Sequence, residues 1–538
     1  MSARSARRIL PLAALFTASA LVLASCAGAS DEGEGSDELV WAIEGANLSA
    51  GHMDPQTSQL DVSAMVQRNV LDSLVHQEED GSFTPWLATE WTVNDDATVY
   101  TFTLRDDVTF HDGEPFNAEA VKANFDRIMD PESESAQAAS MLGGELYKET
   151  TVIDDNTVEV SFTAPYAPFL QAASTAQLGF YSPAVLDSAA DQLKAGGPDV
   201  TVGTGPFILS DYTPDQEIVY TRNDDYAWGP GDTGAPEIET LRVELLPEAS
   251  VRVGVIESGE ADVVSEIPPN LAADLDDSLT VESHEYPGLP YSLYLNEKYG
   301  VFADQKVREA FSRAIDIDSA VDEIFFGSFP RAWSILGPTT PGYDKSLEGS
   351  WPVDQDRANA LLDEAGWTDR DDDDVRMKDG KRLSATWISY TPVSDGNQAL
   401  ANALQSDLAK VGFELKHDIL EPAAYNEQYG PKTFDLTDWG FSGVDGDLLR
   451  SHLGTDGFQN ASQVSDKGVD KLLNEGLATT DTEKRAQVYT KLQEWNAEHV
   501  AIVPLYVPSL ITASQPEVSG LTYDLYGRPQ FAGAGLQG

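Results

Sequence analysis

One cysteine, Cys26, serves a chain of 538 residues. No disulfide can form within the folded body and no cysteine-rich metal cluster can be built, so stability has to come from packing. Long apolar runs are also missing. The longest, Ile9–Leu23, has about 15 residues, too short to cross a ~30 Å hydrocarbon core. Basic residues are scarce: 34 Lys and Arg stand against 90 Asp and Glu, a formal net charge of −56. A surface of that sign repels phosphate, which excludes nucleic acid as a partner. It also holds the body of the protein off an anionic membrane. Such acidity suits solubility outside the cell and does not by itself imply a cationic ligand.

The signatures of catalysis are absent as well. No Ser is followed three places later by Lys, and there is no G-x-S-x-G, H-E-x-x-H or P-loop pattern. Two G-x-G-x-x-G matches fail on context. Gly229, Gly231 and Gly234 bracket Pro230 and run into Ala235-Pro236, so no helix opens there, and Gly533, Gly535 and Gly538 end the sequence. The seven histidines, His52, His76, His111, His284, His417, His452 and His499, show no ligand spacing. Neither a cofactor nor a resident metal is expected.

What is present begins with Arg4, Arg7 and Arg8, the apolar run, and then Leu23-Ala24-Ser25-Cys26. Basic start, apolar middle and small residues before a cut are the three parts of an export signal. Leu-Ala-Ser-Cys resembles a bacterial lipobox. Residues 1–25 therefore read as a lipoprotein signal peptide, Cys26 as the lipidated residue, and 26–37, rich in Gly, Ser and acids, as a flexible tether. Arg7-Arg8 leaves twin-arginine export open beside the general route. The expected location is the extracellular face of the cell membrane, held by acyl chains without a spanning helix, or the periplasmic side in a Gram-negative cell.

Removing the signal leaves 538 − 25 = 513 residues, enough for two or three domains. The patterning is mixed α/β. Leu39–Ile43 reads as a buried strand; Tyr100, Phe102 and Leu104 alternate; Thr151–Phe162 reads as a hairpin turning at Asp154-Asp155-Asn156. Helical stripes follow Asn117, Asp304 and Asp354, and another runs through Leu400, Leu404, Leu408 and Val411. Thr480-Asp481-Thr482-Glu483 fits a capping box with Thr480 as the cap. The acidic run Asp369–Asp374 has Asp374 where a calcium loop needs glycine, so it reads as a solvated loop before an Asp379-Gly380 turn.

A series of segments carries a resemblance. It comprises Trp91 with Tyr100–Arg105, Phe110–Phe116, Gly203–Phe207, Arg222-Asn223 with Tyr226, Ser258–Asp262, Leu295-Asn296, Phe302–Asp304 with Val307-Arg308, Leu361-Leu362 with Ala365–Trp367, and Val503–Leu505. In this order, and over nearly the whole mature chain, the set resembles family 5 of the extracellular solute-binding proteins, the receptors of ABC importers for oligopeptides, dipeptides and nickel complexes. The resemblance implies a two-lobed, periplasmic-binding-protein-like (type 2) α/β fold with a subdomain inserted in lobe I. Lobe I is expected at 38–288 plus 509–538, with the insertion near 77–201, and lobe II at 289–508. Most of the matched residues read as structural; Arg308, for one, is expected in an ion pair. The implied function is capture of a peptide or peptide-like solute by lobe closure and delivery, unaltered, to an ABC permease and its ATPase subunits. A nickel or other metal-chelate receptor of the same family is the alternative; a secreted hydrolase and a surface chaperone or adhesin lie further off. A monomer is expected.

Trp439-Gly440-Phe441-Ser442-Gly443-Val444-Asp445 resembles the family's cleft loop. Dipeptide-binding relatives carry an Asp three places after this Trp, paired with the ligand's α-ammonium. Ser442 stands there in this chain, and a neutral hydroxyl cannot make that charge-assisted bond, which leaves Asp445 or Asp447 to substitute. Relatives that carry nickel complexes use an arginine in the lobe I stretch after the hairpin, but Ala164–Pro183 contains no Arg, Lys or His. The candidate ligand-binding residues are Trp439, Phe441, Ser442, Asp445 and Tyr425 from lobe II, with Gln59, Asp61 and Met65 at the lead-in to the first helix of lobe I.

Overall fold

A computed structural model describes residues 38–537. The signal peptide, Cys26 and the tether assigned above lie outside the described residues. The chain opens with β1 (Glu38–Ile43) and α1 (Asp61–Gln67), then β2 (Ala88–Val93), β3 (Val99–Leu104), α2 (Ala118–Met129), β4 (Tyr147–Asp154) and β5 (Thr157–Phe162). Next come β6 (Phe207–Thr213), β7 (Glu217–Arg222), β8 (Thr240–Leu245), α3 (Ala249–Ser258), β9 (Val263–Val264) and β10 (Thr280–Glu285). They are followed by β11 (Gly288–Leu295), α4 (Gln305–Ala314), α5 (Gln355–Glu364), β12 (Ser384–Tyr390), α6 (Asp395–Lys410) and β13 (Glu414–Leu420). The last set is α7 (Pro422–Tyr429), β14 (Leu436–Ser442), α8 (Lys467–Ala478), α9 (Thr482–His499), β15 (Ile502–Tyr506) and β16 (Ser509–Ser514).

Three sheets organise these strands. The first has the order β10-β16-β9-β1-β8-β7-β6 and the second β13-β12-β14-β11-β15. A third, fully antiparallel sheet, β2-β3-β5-β4, is formed by the segment between β1 and β6. The alternation in β3 has a direct cause: Tyr100, Phe102 and Leu104 are buried against Phe162 and Phe169, and the residues between them face outward. One core joins the third sheet to one face of the first. The second sheet has a core on each face, built around Trp387 on one side and Tyr294 on the other.

The chain passes between the first and second sheets twice, from β10 to β11 and from β15 to β16. The two passages lie side by side, since Tyr286 N–H donates to Pro508 O at 2.8 Å. Pro287 O accepts from Gly443 N–H at 3.0 Å, which ties the first passage to the end of β14. Gly288 has φ +108°, and a Cβ there would run into the backbone of Phe441 and Gly443, so only glycine fits.

Several local expectations match the structure. Asn117, Asp304 and Asp354 each cap a helix by accepting a backbone N–H. Asp379 and Gly380 both have positive φ and close a two-residue hairpin between Lys378 and Lys381. Arg308 pairs with Glu297 at 3.0 Å. The capping box is corrected by one residue. Asp481, not Thr480, is the cap of α9 and accepts from Lys484 N–H at 3.0 Å. Its carboxylate is the stronger acceptor and carries the charge that a helix N-terminus favours. The acidic run is wired to arginines, with Arg370 against Asp374 and Arg382 against Asp371 and Asp373.

Candidate functional site

The two lobes meet along a seam. Ala167 N–H, after β5, donates to Leu477 O, in α8, at 2.9 Å, a backbone bond between segments far apart in sequence. A recess of about 50 Å³ is lined by Arg68, His76, Gln77, Gln171, Ser174–Ala176, Val444 and Asp524–Arg528. That volume is several times the ~10–15 Å³ that one water requires.

Arg68 sits at the C-terminal end of α1. Its place is fixed by close backbone approach, because Gly205 N–H donates to Val70 O at 2.8 Å and Phe207 N–H to Asn69 O at 3.0 Å. A Cβ on Gly205 would collide with the Val70 carbonyl, which explains the glycine in the Gly203–Phe207 motif. The guanidinium donates from Nη1 to Leu71 O at 3.0 Å and Ser73 Oγ at 2.9 Å, and from Nη2 to Ser174 O at 2.9 Å. It lies over the Trp86 ring, 4.9 Å from its centre. Burial pushes Arg68 down to about 10, against the pull of Asp72 and Asp524. Asp72 is fully buried, with Trp228 Nε1 and Thr204 Oγ1 each donating at 3.0 Å, and burial raises it to about 6. Burial lowers His76 from its ordinary value, which keeps the imidazole neutral near pH 7. Gln171 is only 8% exposed, yet its Nε2 finds no acceptor, and Gln77 Oε1 finds no donor, among the described residues.

Of the sequence-predicted residues, none lines this recess; β14 is held by Asp438, which accepts from Trp387 Nε1 at 2.7 Å and Ser389 Oγ at 2.5 Å. Trp439 is wedged among Tyr294, Tyr425 and Tyr429, with ring centres 6.2, 6.1 and 5.2 Å away, and its buried Nε1 has no acceptor among the described residues. Tyr425 is buried, its hydroxyl 2.8 Å from Thr437 Oγ1. Phe441 is 42% exposed and lies against His452, while Ser442, also exposed, pairs with Gly288 at the crossing. Burial pushes His452 down to about 3, so this ring too is neutral.

The remaining candidates separate. Gln59 is exposed, and Met65 is buried in the lobe I core. Asp61 holds both its oxygens against the Arg528 guanidinium, which also stacks on Tyr526. Asp445 and Asp447 are not free to receive a ligand ammonium. Asp445 takes Arg485 Nη1 and Nη2 at 2.5 and 2.6 Å, and Asp447 takes Arg450 Nη2 and Nε at 2.9 and 3.0 Å. Each is already paired with an arginine, Asp445 with Arg485 and Asp447 with Arg450. Sequence reasoning missed Arg68, Gln171, Gln77 and the Asp524–Arg528 segment. A usable signal existed for Arg68, which lies seven positions after Asp61 and so two helical turns along the same face.

Two lobes joined by paired passages and meeting over a polar recess define a clamshell solute-binding protein. Residues 82–457 match the model of the family "Bacterial extracellular solute-binding proteins, family 5 Middle". The chain belongs to this family, the substrate-binding receptors of ABC importers. It is 28% identical over 480 residues to heme-binding protein A of Haemophilus influenzae, covering 84% of each. It is 28% identical over 480 residues to the dipeptide-binding protein of Escherichia coli, covering 84% of this chain and 86% of that one. The crystal structure of NikA from Brucella suis in complex with Fe(III)-EDTA superposes with a TM-score of 0.80 at 26% identity, over 93% of this chain and 100% of the other. These relatives are binding proteins, and no helix among the described residues is long and apolar enough to cross a membrane.

Proposed function

We propose that this receptor captures peptides or peptide-like solutes between its lobes and presents them unaltered to an ABC permease. The observation that carries the reading is the mixed polarity of the recess. Among the described residues, Gln171 Nε2 is a buried donor without an acceptor and Gln77 Oε1 an acceptor without a donor. A buried polar group left unpaired costs about 1–3 kcal/mol, and a ligand with both amide N–H and C=O groups relieves both deficits. Trp439 Nε1 is a second buried donor without an acceptor among the described residues. In this reading Trp439, Phe441, Ser442 and Tyr425 form the lobe II wall, Asp61 orients Arg528, Gln59 lies at the rim, and Met65 and Asp445 support the walls from behind. The lobes are taken to run 38–288 plus 509–538 and 289–508, with the insertion near 77–201.

Cys26 is proposed to tether the protein as a lipidated N-terminus on the outer face of the membrane, the protein acting as a monomer. Mass spectrometry of the N-terminal peptide tests this: a diacylated Cys26 is expected, and an unmodified thiol overturns it.

A second reading, a metal-chelate receptor, draws on His76, a neutral imidazole in the recess lining that could complete a chelate's coordination. Calorimetry separates the two. Heat with a peptide library and none with nickel plus histidine is expected; heat from nickel plus histidine alone overturns the peptide reading.

A further inference from the structure

We propose that the recess beside Arg68 is a carboxylate subsite: it takes a carboxylate of the bound solute, and Arg68 with Gln171 sets that preference. This deepens the receptor reading above and rests on it.

A guanidinium has five N–H donors. Three N–H···O bonds hold Arg68, all to neutral oxygens. Two donors are left over, and among the described residues no carboxylate lies within ion-pair distance of this group. The contrast within the same lining is direct. Arg528 is neutralised by Asp61, with Asp524 a further 3.7 Å contact. The other acids near Arg68 are engaged elsewhere. Asp72 receives Trp228, Thr204 and, at 3.4 Å, Tyr226. Asp524 accepts the backbone N–H groups of Tyr526 and Arg528 at 2.9 and 3.0 Å.

Arg68 is thus a cation held in one orientation, desolvated, and without a counter-ion. A planar carboxylate matches the two remaining N–H groups. Gln171 Nε2, buried and without an acceptor, supplies a further donor in the same recess. The volume of about 50 Å³ admits a carboxylate and a bridging water. The strongly acidic surface repels anions at a distance, but screening confines that effect to about 10 Å at ordinary salt, so recognition has to be local.

The test uses the mature protein, with binding read by calorimetry and by the shift of the thermal midpoint. Three probes are offered: a mixture of di- to tetrapeptides with free carboxylates, the same mixture C-terminally amidated, and nickel–histidine, whose ligand also carries carboxylates. Wild type is expected to bind the free-acid peptides at least tenfold tighter than the amides. Arg68→Gln should bring that ratio close to one, Arg68→Lys should keep part of it, and Gln171→Leu should weaken the acids by a few fold and the amides less. Equal binding of acids and amides by wild type overturns the subsite and leaves the peptide reading standing. Binding of nickel–histidine alone, lost in Arg68→Gln, upholds the subsite while the peptide reading fails. Should Arg68→Gln not fold, Arg68→Lys and Gln171→Leu decide. Absence of any response to these variants across the three probes overturns the proposal.

Discussion

The two walls of the cleft treat charge in opposite ways. On the lobe II wall the carboxylates at the end of the cleft loop are each bound to an arginine of the same lobe, Asp445 to Arg485 and Asp447 to Arg450. On the lobe I wall, among the described residues, Arg68 has no carboxylate within ion-pair distance and Gln171 and Gln77 each keep an unmet polar atom. A wall whose charges are mutually neutralised is rigid and electrostatically quiet. A wall with fixed but unmet donors is organised in advance for something that arrives later. In the proposed reading this difference gives support to lobe II and polar recognition to lobe I, a division that substitutions can break.

The largest effect is expected at Arg485. Removing it leaves Asp445 partly buried with one backbone N–H, that of Asp447, as its remaining donor. Breaking such a pair from one side typically costs about 3–5 kcal/mol. Arg485→Met should therefore lower unfolding stability by roughly that amount in denaturant titration, and Asp445→Asn in the same chain should recover part of it. A loss below about 1 kcal/mol would mean the pair behaves as a solvated one, and lobe II would no longer be the quiet wall.

Asp72 probes the other side. Its carboxyl is raised from the usual 3.8 to about 6, first by burial. A raised folded value means the folded state binds the proton more tightly than the unfolded chain does. The stabilising contribution is complete below 3.8 and is lost as pH rises through about 6. Between these limits stability should fall with rising pH by on the order of 3 kcal/mol from this group. Asp72→Asn should flatten that slope. An unchanged slope would show that Asp72 is not the buried acid behind Arg68.

At the crossing, Gly288→Ala forces a Cβ against the Phe441 carbonyl and a residue into φ +108°. Strain of this kind costs about 1–3 kcal/mol. Because Gly288 pairs with Ser442 at the end of β14, the variant should lose both stability and ligand-induced closure, read by small-angle scattering with and without peptide. Stability lost with closure intact would separate the hinge from the lobe II wall.

Much of this architecture is legible in the amino-acid sequence. Alternation at Tyr100, Phe102 and Leu104 marks a strand because one face is buried, and Asn117, Asp304 and Asp354 announce helix starts because their side chains accept orphan N–H groups. The end of β14 is partly legible, since Gly440 packs closely on the backbone of Pro290 and Tyr291. The polar recess is not. It joins the end of α1, the stretch 171–176 and the segment 524–528, which no local pattern connects. Met65 and Arg68 show the limit within a single helix. Spacing places both near the cleft, but only packing decides that Met65 turns into the core while Arg68 lines the recess.

The smallest expected change is the most discriminating for lobe II. Trp439 is surrounded by Tyr294, Tyr425 and Tyr429, and its Nε1 has no acceptor among the described residues. Trp439→Phe keeps an aromatic ring in the wedge and deletes the unmet donor. Relief of an unpaired buried N–H offsets the small cavity left by the lost ring, so stability should stay within about 1 kcal/mol of wild type. Binding is where the substitution should tell. If a ligand carbonyl receives this N–H in the closed cleft, peptide affinity should drop by roughly two- to tenfold, the range of one neutral hydrogen bond of about 0.5–1.5 kcal/mol. Unchanged affinity would mean that the indole only props the wall, making the contrast between a supporting lobe II and a reading lobe I sharper. A drop far above tenfold would reverse it, placing the principal polar recognition on the wall whose carboxylates are already neutralised.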